Sequence, residues 1–429
     1  MTAEPLAHPG ANPEAFLRAL FDRAVAAADP MIGVPAALPP RKPDGRVLVI
    51  GAGKASARMA EAVEAHWGPC EGLVITRYGY GRPCKGIEIV EAAHPVPDAA
   101  GVAATRRLLR LLDSVEEGDF VLSLISGGGS ALLCAPAEGI TLAEKQALTE
   151  ALLASGAPIG VMNGIRKEIS AVKGGRLAAA SWPATLLSLM ISDVPGDAPG
   201  DIASGPTVGH AGSAADALDK LAEWNVVPPA SIQAFLESGG DPVALDDPRL
   251  SRTTNVITAA PSQSLAAAAK AAEACCDIRV LGDALEGEAR DLGAEHAQRA
   301  MAIQNGLAPG DRPVLLLSGG EVTVTRTGEG TGGPNAEAML AAAVTLNGHP
   351  GIHALACDTD GVDGAAEVAG AVIGPDMPQR AAKAGRDMTA ALTDNDAHGF
   401  FAQTGNQVVT GPTLTNVNDF RAFLILPPS

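Results

Sequence analysis

Two glycine-rich turns, each after an apolar run, are the residues of this sequence with the clearest chemical use. Gly51-Ala52-Gly53-Lys54 follows VLVI, and Ser126-Gly127-Gly128-Gly129-Ser130 follows DFVLSLI. Glycines in such turns let backbone N–H groups approach an anion closely, so both turns are candidates for binding phosphate or carboxylate. A plain tight turn is the alternative in each case, with Lys54 solvated in the first.

The first turn matches neither of the two standard nucleotide-binding fingerprints. A Walker-type loop needs glycine at 48 and Ser or Thr after the lysine, but the chain has Leu48 and Ala55. The dinucleotide fingerprint needs a third glycine where the chain has Ser56. The second turn lacks the G-x-S-x-G pattern of a serine nucleophile elbow.

A group of polar and basic residues lies in the stretch 162–180, MNGIRKEISAVKGGRLAAA, which predicts a helix. Spacings of three, four and seven place most of them on or beside one helical face. In a chain with a net charge of −18, this group indicates a site for a substrate carboxylate or a polyphosphate. An ordinary solvated basic helix is the alternative. The residues are Asn163, Arg166, Lys167, Lys173 and Arg176.

Acidic residues follow two other apolar runs, at 184–192 and from 352. Carboxylates at strand ends are typical Mg²⁺ ligands or general bases in α/β proteins. Solvated loop acids are the alternative, and DTDGVDG lacks the closing glutamate of an EF-hand. The acids are Asp193, Asp197 and Asp201 in the first half, and Asp358, Asp360 and Asp363 in the second.

One more stretch is a candidate anion site, because GEGTGGPNAEAML opens a predicted helix after a glycine-rich loop. The histidines are scattered, and His94 in HPVPD is the one beside a loop of interest. For His94 the sequence favours a structural role.

Strands and helices that alternate along the chain must position these residues, and such alternation predicts parallel sheets covered on both faces. The order strand–helix and then strand–Ser-Gly-Gly occurs twice, with the second copy at 312–324. We therefore predict two α/β domains, residues 1–250 and 251–429. A helix over 12–28 opens the first domain, and a strand in 352–364 is the last of the second.

Composition excludes several classes of function. With −18 net charge, the chain does not suit duplex nucleic acid, which needs a basic face. The six cysteines form no C-x-x-C and no zinc spacing, and indicate reduced thiols in a cytoplasmic protein. The N-terminus has no signal-peptide pattern, and no apolar run approaches the roughly 20 residues of a membrane helix. We predict no nucleic-acid partner and no membrane association.

In this order, the motifs resemble the glycerate 2-kinases with a MOFRL-type C-terminal domain, over nearly the whole chain. The motifs are GAGKA (51–55), HPVPD (94–98), SGGGSALL (126–133), NGIRKEISAVKGGRLA (163–178), SDVPGD (192–197), SGPT (204–207), LSGGE (317–321), GGPNAE (332–337), DTDGVDG (358–364) and TGPTLTNVND (410–419).

The resemblance implies two Rossmann-like α/β domains with mostly parallel sheets and an active site in the cleft between them. It also implies transfer of the γ-phosphate of ATP to the 2-hydroxyl of D-glycerate with Mg²⁺, giving 2-phospho-D-glycerate and ADP. Phosphoryl transfer needs anion-binding N–H groups, a cation at the transferring group and carboxylates for the metal, and the sequence offers each.

On this resemblance we assign site residues as a hypothesis. Lys54 bridges substrate and γ-phosphate, Arg166 adds a cationic clamp, and Asp193 holds Mg²⁺ or takes the hydroxyl proton. The other assignments are substrate-binding Ser126, Gly127, Gly128, Gly129, Ser130 and Lys173; nucleotide-binding Gly51, Gly53, Gly319, Gly320, Glu321, Gly332, Gly333, Asn335 and Glu337; and, with Asp193, the metal ligands Asp358 and Asp360.

One departure from the family concerns position 334, where many members carry Arg in GGRNQE and this chain has Pro334. An arginine there would stabilise charge on the transferring phosphoryl group. Either another basic residue, such as Arg166 or Lys173, covers that role here, or the turnover or the acceptor differs.

Two alternative functions stay open. In an NAD(P)H-dependent hydroxypyruvate reductase, Arg77 at the end of the second predicted strand would suit an NADPH phosphate, but the third glycine and a His/Arg catalytic pair are missing. A non-catalytic nucleotide- or sugar-acid-binding protein is the other alternative, prompted by Pro334. The sequence does not fix glycerate over a related hydroxy acid. Nor does it fix the oligomeric state, for which a homodimer is one assembly it allows.

Overall fold

The computed structural model describes residues 6, 8–364 and 366–428. The prediction that the N-terminus has no signal-peptide pattern falls partly on residues 1–5 and 7, and these lie outside the described residues. The chain forms two compact units. We call Pro30–Thr258 the inserted unit, and Met1–Asp29 with Ala259–Ser429 the discontinuous unit.

The strands of the described residues are β1 (Val47–Ala52), β2 (Glu71–Arg77), β3 (Ile87–Ala92), β4 (Phe120–Ile125), β5 (Thr185–Ile191), β6 (Thr253–Ala259), β7 (Asp277–Leu285), β8 (Val314–Gly320), β9 (Ile352–Asp358), β10 (Gly370–Ile373), β11 (Gln407–Val408) and β12 (Asp419–Ile425).

The helices are α1 (Pro13–Ala27), α2 (Pro30–Ala37), α3 (Ser56–Trp67), α4 (Ala99–Leu112), α5 (Gly129–Leu132), α6 (Leu142–Ser155), α7 (Ile159–Glu168), α8 (Arg176–Ala180), α9 (Ala214–Glu223), α10 (Ala230–Glu237), α11 (Pro261–Ala272), α12 (Ala289–Gln304), α13 (Pro334–Leu346), α14 (Met377–Lys383), α15 (Met388–Thr393) and α16 (Ala397–Thr404). Short 3₁₀ turns occupy Pro195–Asp197, Ile202–Ser204 and Pro248–Leu250. In the described part of the chain, no helix combines the length and the apolarity needed to cross a membrane.

The sheet of the inserted unit has the strand order β3-β2-β1-β4-β5-β6. β1 pairs in parallel with β2 and β4, β2 with β3, and β4 with β5. This is the order of a doubly wound Rossmann sheet, in which the chain reverses direction across the sheet between β1 and β4. The predicted α/β class is confirmed. In such sheets, ligands bind outside the carboxyl ends of the strands at this reversal, and the two predicted glycine turns both lie there.

The sheet of the discontinuous unit is mixed, with the order β11-β10-β9-β12-β8-β7. β7 and β8 are parallel, but β12 runs antiparallel to β8 and β9, and β10 runs antiparallel to β9 and β11. The prediction of mostly parallel strands is therefore wrong for this sheet. The described residues between β9 and β10, 359–364 and 366–369, contain no helix, and parallel neighbours need a longer crossover. The strand in 352–364 is also not the last, because β10, β11 and β12 follow it.

The N-terminal helix α1 packs in the discontinuous unit, whereas the predicted division assigned it to a domain of residues 1–250. Its buried face carries Phe16, Leu17, Leu20, Phe21 and Ala24. This face joins a core that includes side chains from β8, β9 and β12. The amphipathic pattern predicts which face of a helix is buried, but not which sheet covers it.

The predicted helix over 162–180 is broken. α7 ends at Glu168 and α8 begins at Arg176. Between them Gly174 and Gly175 have φ of 56° and 83°, left-handed conformations that glycine adopts without a Cβ penalty. The prediction that Lys173 shares a helical face with Arg166 is wrong, because Lys173 lies in the loop.

Candidate functional site

The turns after β1 and β4 are locked together by hydrogen bonds. The backbone N–H of Lys54 donates to the carbonyl oxygen of Gly127 over 2.8 Å. The N–H of Ala55 donates to Ser126 Oγ over 3.0 Å, and the hydroxyls of Ser56 and Ser126 are 3.1 Å apart. The two turns therefore form one rigid element at the reversal point of the sheet.

Packing against β4 explains the glycines of the first turn. A Cβ on Gly51 would lie 2.2 Å from the carbonyl oxygen of Leu124, and one on Gly53 would lie 2.0 Å from Ser126 Oγ. The N–H of Gly53 donates to the carbonyl of Ile75. Because the amides of Gly53, Lys54 and Ala55 are engaged within the protein, an anion finds few donors in this turn.

The second turn keeps donors for an anion. Gly128 has φ 78° and ψ −8°, a left-handed conformation. Within the described chain, we find no acceptor for the backbone N–H groups of Gly127 and Gly128. A Cβ on Gly129 would lie 2.7 Å from the Cβ of Ala203, so glycine is required for the close approach of the loop 202–207. The arrangement is a backbone nest, a concave set of N–H groups suited to an oxyanion.

Lys173 connects this nest to the neighbouring loop. Its side chain is fully buried, and its ammonium nitrogen donates to the carbonyl oxygens of Ser130, at 2.8 Å, and Ala203, at 3.4 Å. The hydroxyls of Ser130 and Ser204 also join the two loops, at 2.8 Å. In this structure Lys173 positions the loop, whereas the sequence analysis predicted contact with substrate.

Lys145 and Arg166 lie near Lys173, close enough for their charges to lower its pKa. Burial is the main cause of the low pKa of Lys173, and it also lowers the pKa values of Lys145 and Arg166. Lys145 is 3% exposed and donates to Cys134 Sγ over 3.5 Å. Arg166 Nε is buried without a hydrogen-bond partner. None of the three forms an ion pair with a carboxylate of the described residues. A group of buried cations without counter-ions favours a bound anion nearby.

Lys145 was not among the residues predicted from the sequence, although its position in the helix pattern is a signal. Lys145 shares the buried face of α6 with Leu148 and Leu152, at spacings of three and four. A lysine at an apolar position of an amphipathic helix is rarely buried without a specific reason. That position could have marked Lys145 as a candidate.

The side-chain stem of Lys54 lies against Gly128. A Cβ on Gly128 would lie 3.2 Å from Lys54 Cγ, and 3.0 Å from Cδ2 and Nε2 of His94. The lysine stem and the imidazole thus both contact the turn that carries the available amides.

The acids after β5 lie at the same carboxyl edge of the sheet, because β5 runs parallel to β4. Asp193 is half-buried. Asp197 adopts φ 54°, and its Oδ1 is buried without a hydrogen-bond partner. Asp201 lies 3.6 Å from Lys167 Nζ. Within the described ranges, no three His, Cys, Asp or Glu side chains come together as a metal-ligand group.

In the discontinuous unit, Gly319 and Gly320 belong to strand β8, whereas the sequence analysis expected a loop. A Cβ on Gly320 would lie 2.2 Å from the carbonyl oxygen of Leu285, so the close approach of β7 accounts for this glycine. Glu321 follows directly and is exposed.

The predicted anion site at 332–337 already holds a carboxylate of the protein. Asp363 accepts from the backbone N–H groups of Asn335, at 2.9 Å, and Ala336, at 2.8 Å. The N-terminus of α13 is thereby capped. Asn335 Nδ2 also donates to Asp419 over 2.6 Å. A nucleotide phosphate would have to bind other groups of this segment, which includes Gly332 and Gly333.

Three further assigned residues of this unit take part in internal hydrogen bonds. Glu337 is fully buried and accepts two hydrogen bonds from Arg290, at 2.9 and 2.7 Å, and one from Asn395. Asp360 is also fully buried. Asp358 Oδ1 accepts from the N–H of Asp360, and Asp360 Oδ1 accepts from the N–H of Val362. These residues shape the loops that the sequence analysis assigned to nucleotide and metal.

Two family models match the chain. Residues 16–237 match a domain of unknown function, DUF4147, and residues 314–419 match the MOFRL family.

The chain is also similar to named proteins. It is 48% identical, over 95% of its length and 94% of the relative, to an Agrobacterium vitis protein provisionally named hydroxypyruvate reductase. It is 38% identical, over 89% of its length and 91% of the relative, to the D-glycerate 2-kinase of Thermotoga maritima. A crystal structure of glycerate kinase from Thermotoga maritima matches with a TM-score of 0.84 at 34% identity, covering 95% of this chain and 98% of that one.

Proposed function

This chain belongs to the glycerate 2-kinase family with DUF4147 and MOFRL domains, and on that premise we propose that it transfers the γ-phosphoryl group of ATP to the 2-hydroxyl of D-glycerate. The products are 2-phospho-D-glycerate and ADP. D-glycerate, rather than a related hydroxy acid, is part of the proposal.

The nest at Gly127 and Gly128 is the observation that carries the proposal. It lies at the reversal point of a doubly wound sheet, where such folds bind their ligands. Phosphoryl transfer depends on positioning and on stabilising charge at the transferring oxygens. A rigid set of amides above buried cations supplies both, because fixed donors need no reorganisation during the reaction.

Each basic residue near the nest has a distinct part in the proposal. The stem of Lys54 contacts Gly128, and the proposal assigns its ammonium group to an oxyanion held there. Lys173 and Lys145 contribute positive potential from beneath and keep the loop in place. Arg166 is the residue that can cover the charge-stabilising role of the family arginine that Pro334 replaces, because its buried Nε has no partner within the protein.

ATP and Mg²⁺ complete the proposal. Mg²⁺ takes oxygen ligands, usually one or two carboxylates together with phosphates, so the carboxylate chemistry after β5 fits this ion. Asp193 and Asp197 would hold it, and Asp197 Oδ1 is a buried oxygen without a partner. When bound, Mg²⁺ neutralises phosphate charge. If Asp197 holds the ion without Asp193, Asp193 is the proposed acceptor of the hydroxyl proton. The assignments in the discontinuous unit, including Asp358 and Asp360, stay proposals.

The name of the Agrobacterium vitis relative favours a second candidate, an NAD(P)H-dependent hydroxypyruvate reductase. A Rossmann sheet binds the dinucleotide pyrophosphate at amides of the first glycine turn. In this chain those amides donate to Ile75, Gly127 and Ser126 instead. We therefore expect no NADPH binding and no NADPH oxidation with hydroxypyruvate.

Product identification by ³¹P NMR tests the proposal directly. Purified protein with ATP, Mg²⁺ and D-glycerate should give the signal of 2-phosphoglycerate. Lys54→Ala should lose it, while Lys42→Ala, a change at an exposed lysine away from the nest, should keep it. Formation of 3-phosphoglycerate would overturn the position of transfer. No phosphoester with any hydroxy acid would overturn the kinase. The cytoplasmic location and the homodimer stay predictions.

A further inference from the structure

His94 contacts the glycine turn that carries the nest. The residue follows β3, at the same carboxyl edge of the sheet as the turns after β1 and β4. Its Cδ2 and Nε2 atoms are each 3.0 Å from the position of a Cβ on Gly128, and Lys54 Cγ is 3.2 Å from that position. An imidazole and a lysine, carried by two different strands, therefore contact the same turn residue.

The loop that carries His94 is fixed at its other end. Asp98 accepts from the N–H of Gly101 and from the hydroxyl of Tyr78, each at 2.9 Å. Gln146 Nε2 donates to the carbonyl oxygen of Pro97 over 2.9 Å. Gln146 lies on α6 next to Lys145, so one helix supports both the buried cation and the histidine loop. The backbone is thus held in place three and four residues after His94, which limits the conformations of this loop and lowers the entropic cost of binding.

We infer that His94 is a further binding residue of this site, whose imidazole donates a hydrogen bond from Nε2 to the oxyanion held over Gly128. Neutral imidazole can donate from one ring nitrogen, and the protonated form donates from both. The ligand chemistry is an anionic oxygen, either of the acceptor carboxylate or of a nucleotide phosphate. The identity of these two ligands rests on the proposed function.

NMR of the full-length chain with ¹³C-labelled histidine tests the contact without requiring turnover. Comparison with His94→Gln assigns the His94 signals among the eight histidines. One titration uses D-glycerate alone, and the other uses a non-hydrolysable ATP analogue with Mg²⁺. A shift of the His94 signals with D-glycerate assigns the contact to the carboxylate, and a shift with the analogue assigns it to phosphate. No shift with either ligand overturns the inference.

Kinetics supply a second, matched test. His94→Ala should lower kcat/KM by about 10²-fold, as expected for loss of one donor to an oxyanion. His94→Gln retains an N–H donor and should recover part of that loss. The exposed His66 provides the control, and His66→Ala should behave as the wild type. Circular dichroism shows whether each variant is folded.

Two kinetic outcomes would overturn the inference. One is activity of His94→Ala within twofold of the wild type. The other is equal loss in the Ala and Gln variants while the His94 signals of the wild type ignore both ligands, which would assign a purely structural role. If the wild type forms no phosphoester, the proposed function fails, and the titrations still decide the role of His94.

Discussion

The ammonium nitrogen of Lys173 lies 2.8 Å from the carbonyl oxygen of Ser130, the residue that ends the glycine turn after β4. A second carbonyl, that of Ala203, lies 3.4 Å away and belongs to the neighbouring loop. One fully buried side chain thereby connects the nest to the segment packed against it. We expect Lys173 to act on a bound anion indirectly, by holding the backbone of the nest and through its electrostatic field.

Lys173→Met should therefore impair catalysis through geometry. The change keeps the apolar stem but removes both hydrogen bonds, and a shift of about 1 Å in a binding loop can cost about 10²-fold in rate. We expect kcat/KM for D-glycerate to fall by one to two orders of magnitude, measured by a coupled ADP assay. Lys220→Met, at an exposed lysine that pairs with Glu223, is the control. Activity of Lys173→Met within twofold of the wild type would contradict the positioning role.

The buried lysines should make stability depend on pH in a defined direction. Burial lowers the pKa of Lys145 in the native state, whereas a lysine in the unfolded chain titrates near 10.4. Between these two pKa values the unfolded chain binds the additional proton, so the free energy of unfolding rises as pH rises. At lower pH the native state carries the unfavourable buried charge.

Urea unfolding from pH 7 to pH 10 measures this effect. Lys145→Met should flatten the rise in unfolding free energy relative to the wild type. Lys270→Met, at an exposed lysine, should leave the slope unchanged. Parallel curves for the wild type and Lys145→Met would show that Lys145 does not titrate differently in the two states.

Gly128→Ala should separate backbone strain from contacts at the site. Gly128 and Gly156 are both left-handed, with φ 78°, ψ −8° and φ 75°, ψ 16°, but a Cβ on Gly156 would meet no atom within 4 Å. Both alanine variants should lose about 1 kcal/mol of unfolding free energy, because alanine disfavours positive φ. Only Gly128→Ala should also lower kcat/KM, by at least about tenfold, since its Cβ contacts Lys54 and His94. Thermal unfolding measures the stability of the two alanine variants, and steady-state kinetics measures their kcat/KM. Equal activity of the two variants would contradict a ligand site at Gly128.

Asp363→Asn should destabilise the discontinuous unit. Asp363 accepts two backbone N–H groups at the start of α13 and pairs with His398, 3.2 Å from Oδ2. An amide keeps the shape but replaces one acceptor with a donor and removes the charge. A loss of about 2–4 kcal/mol is expected for such a buried group. Asp387 caps α15 at the surface, and Asp387→Asn should cost less than about 1 kcal/mol. Similar losses for both variants in chemical denaturation would refute this ranking.

Local patterns predicted the fold class and the residues of the nest. Strand–turn–helix units can be predicted because their apolar runs and glycine turns are short, local features of the sequence. The strands that end at Ala52 and Ile125 appear as apolar runs followed by glycine. What sequence could not supply is which hydrogen bonds the turns make. Gly53 and Gly128 look alike in the sequence, yet Gly53 fits against Ser126, whereas the N–H of Gly128 has no acceptor among the described residues.

The sequence also did not predict which strands pair when they lie far apart in the chain. Nothing in DFRAFLI indicates that β12 inserts between β8 and β9, because the partners are far apart in the chain. Lys173 was assigned to the helical face of Arg166, but α7 ends at Glu168, before Lys173. Asp363 appeared as a loop acid, and its place at the start of α13 follows from tertiary contacts alone.

The membership of α1 in the discontinuous unit has a consequence for biosynthesis. The ribosome delivers Phe16, Leu17 and Phe21 before the inserted unit, and their partners on β8 and β12 emerge only after residue 313. During that interval the inserted unit can fold as an independent domain. The apolar face of α1 meanwhile lacks its partners on β8 and β12. Chaperones that recognise such segments would be expected to engage this chain early, because α11 can cover part of this face first and β12 completes the cover only near the end of synthesis.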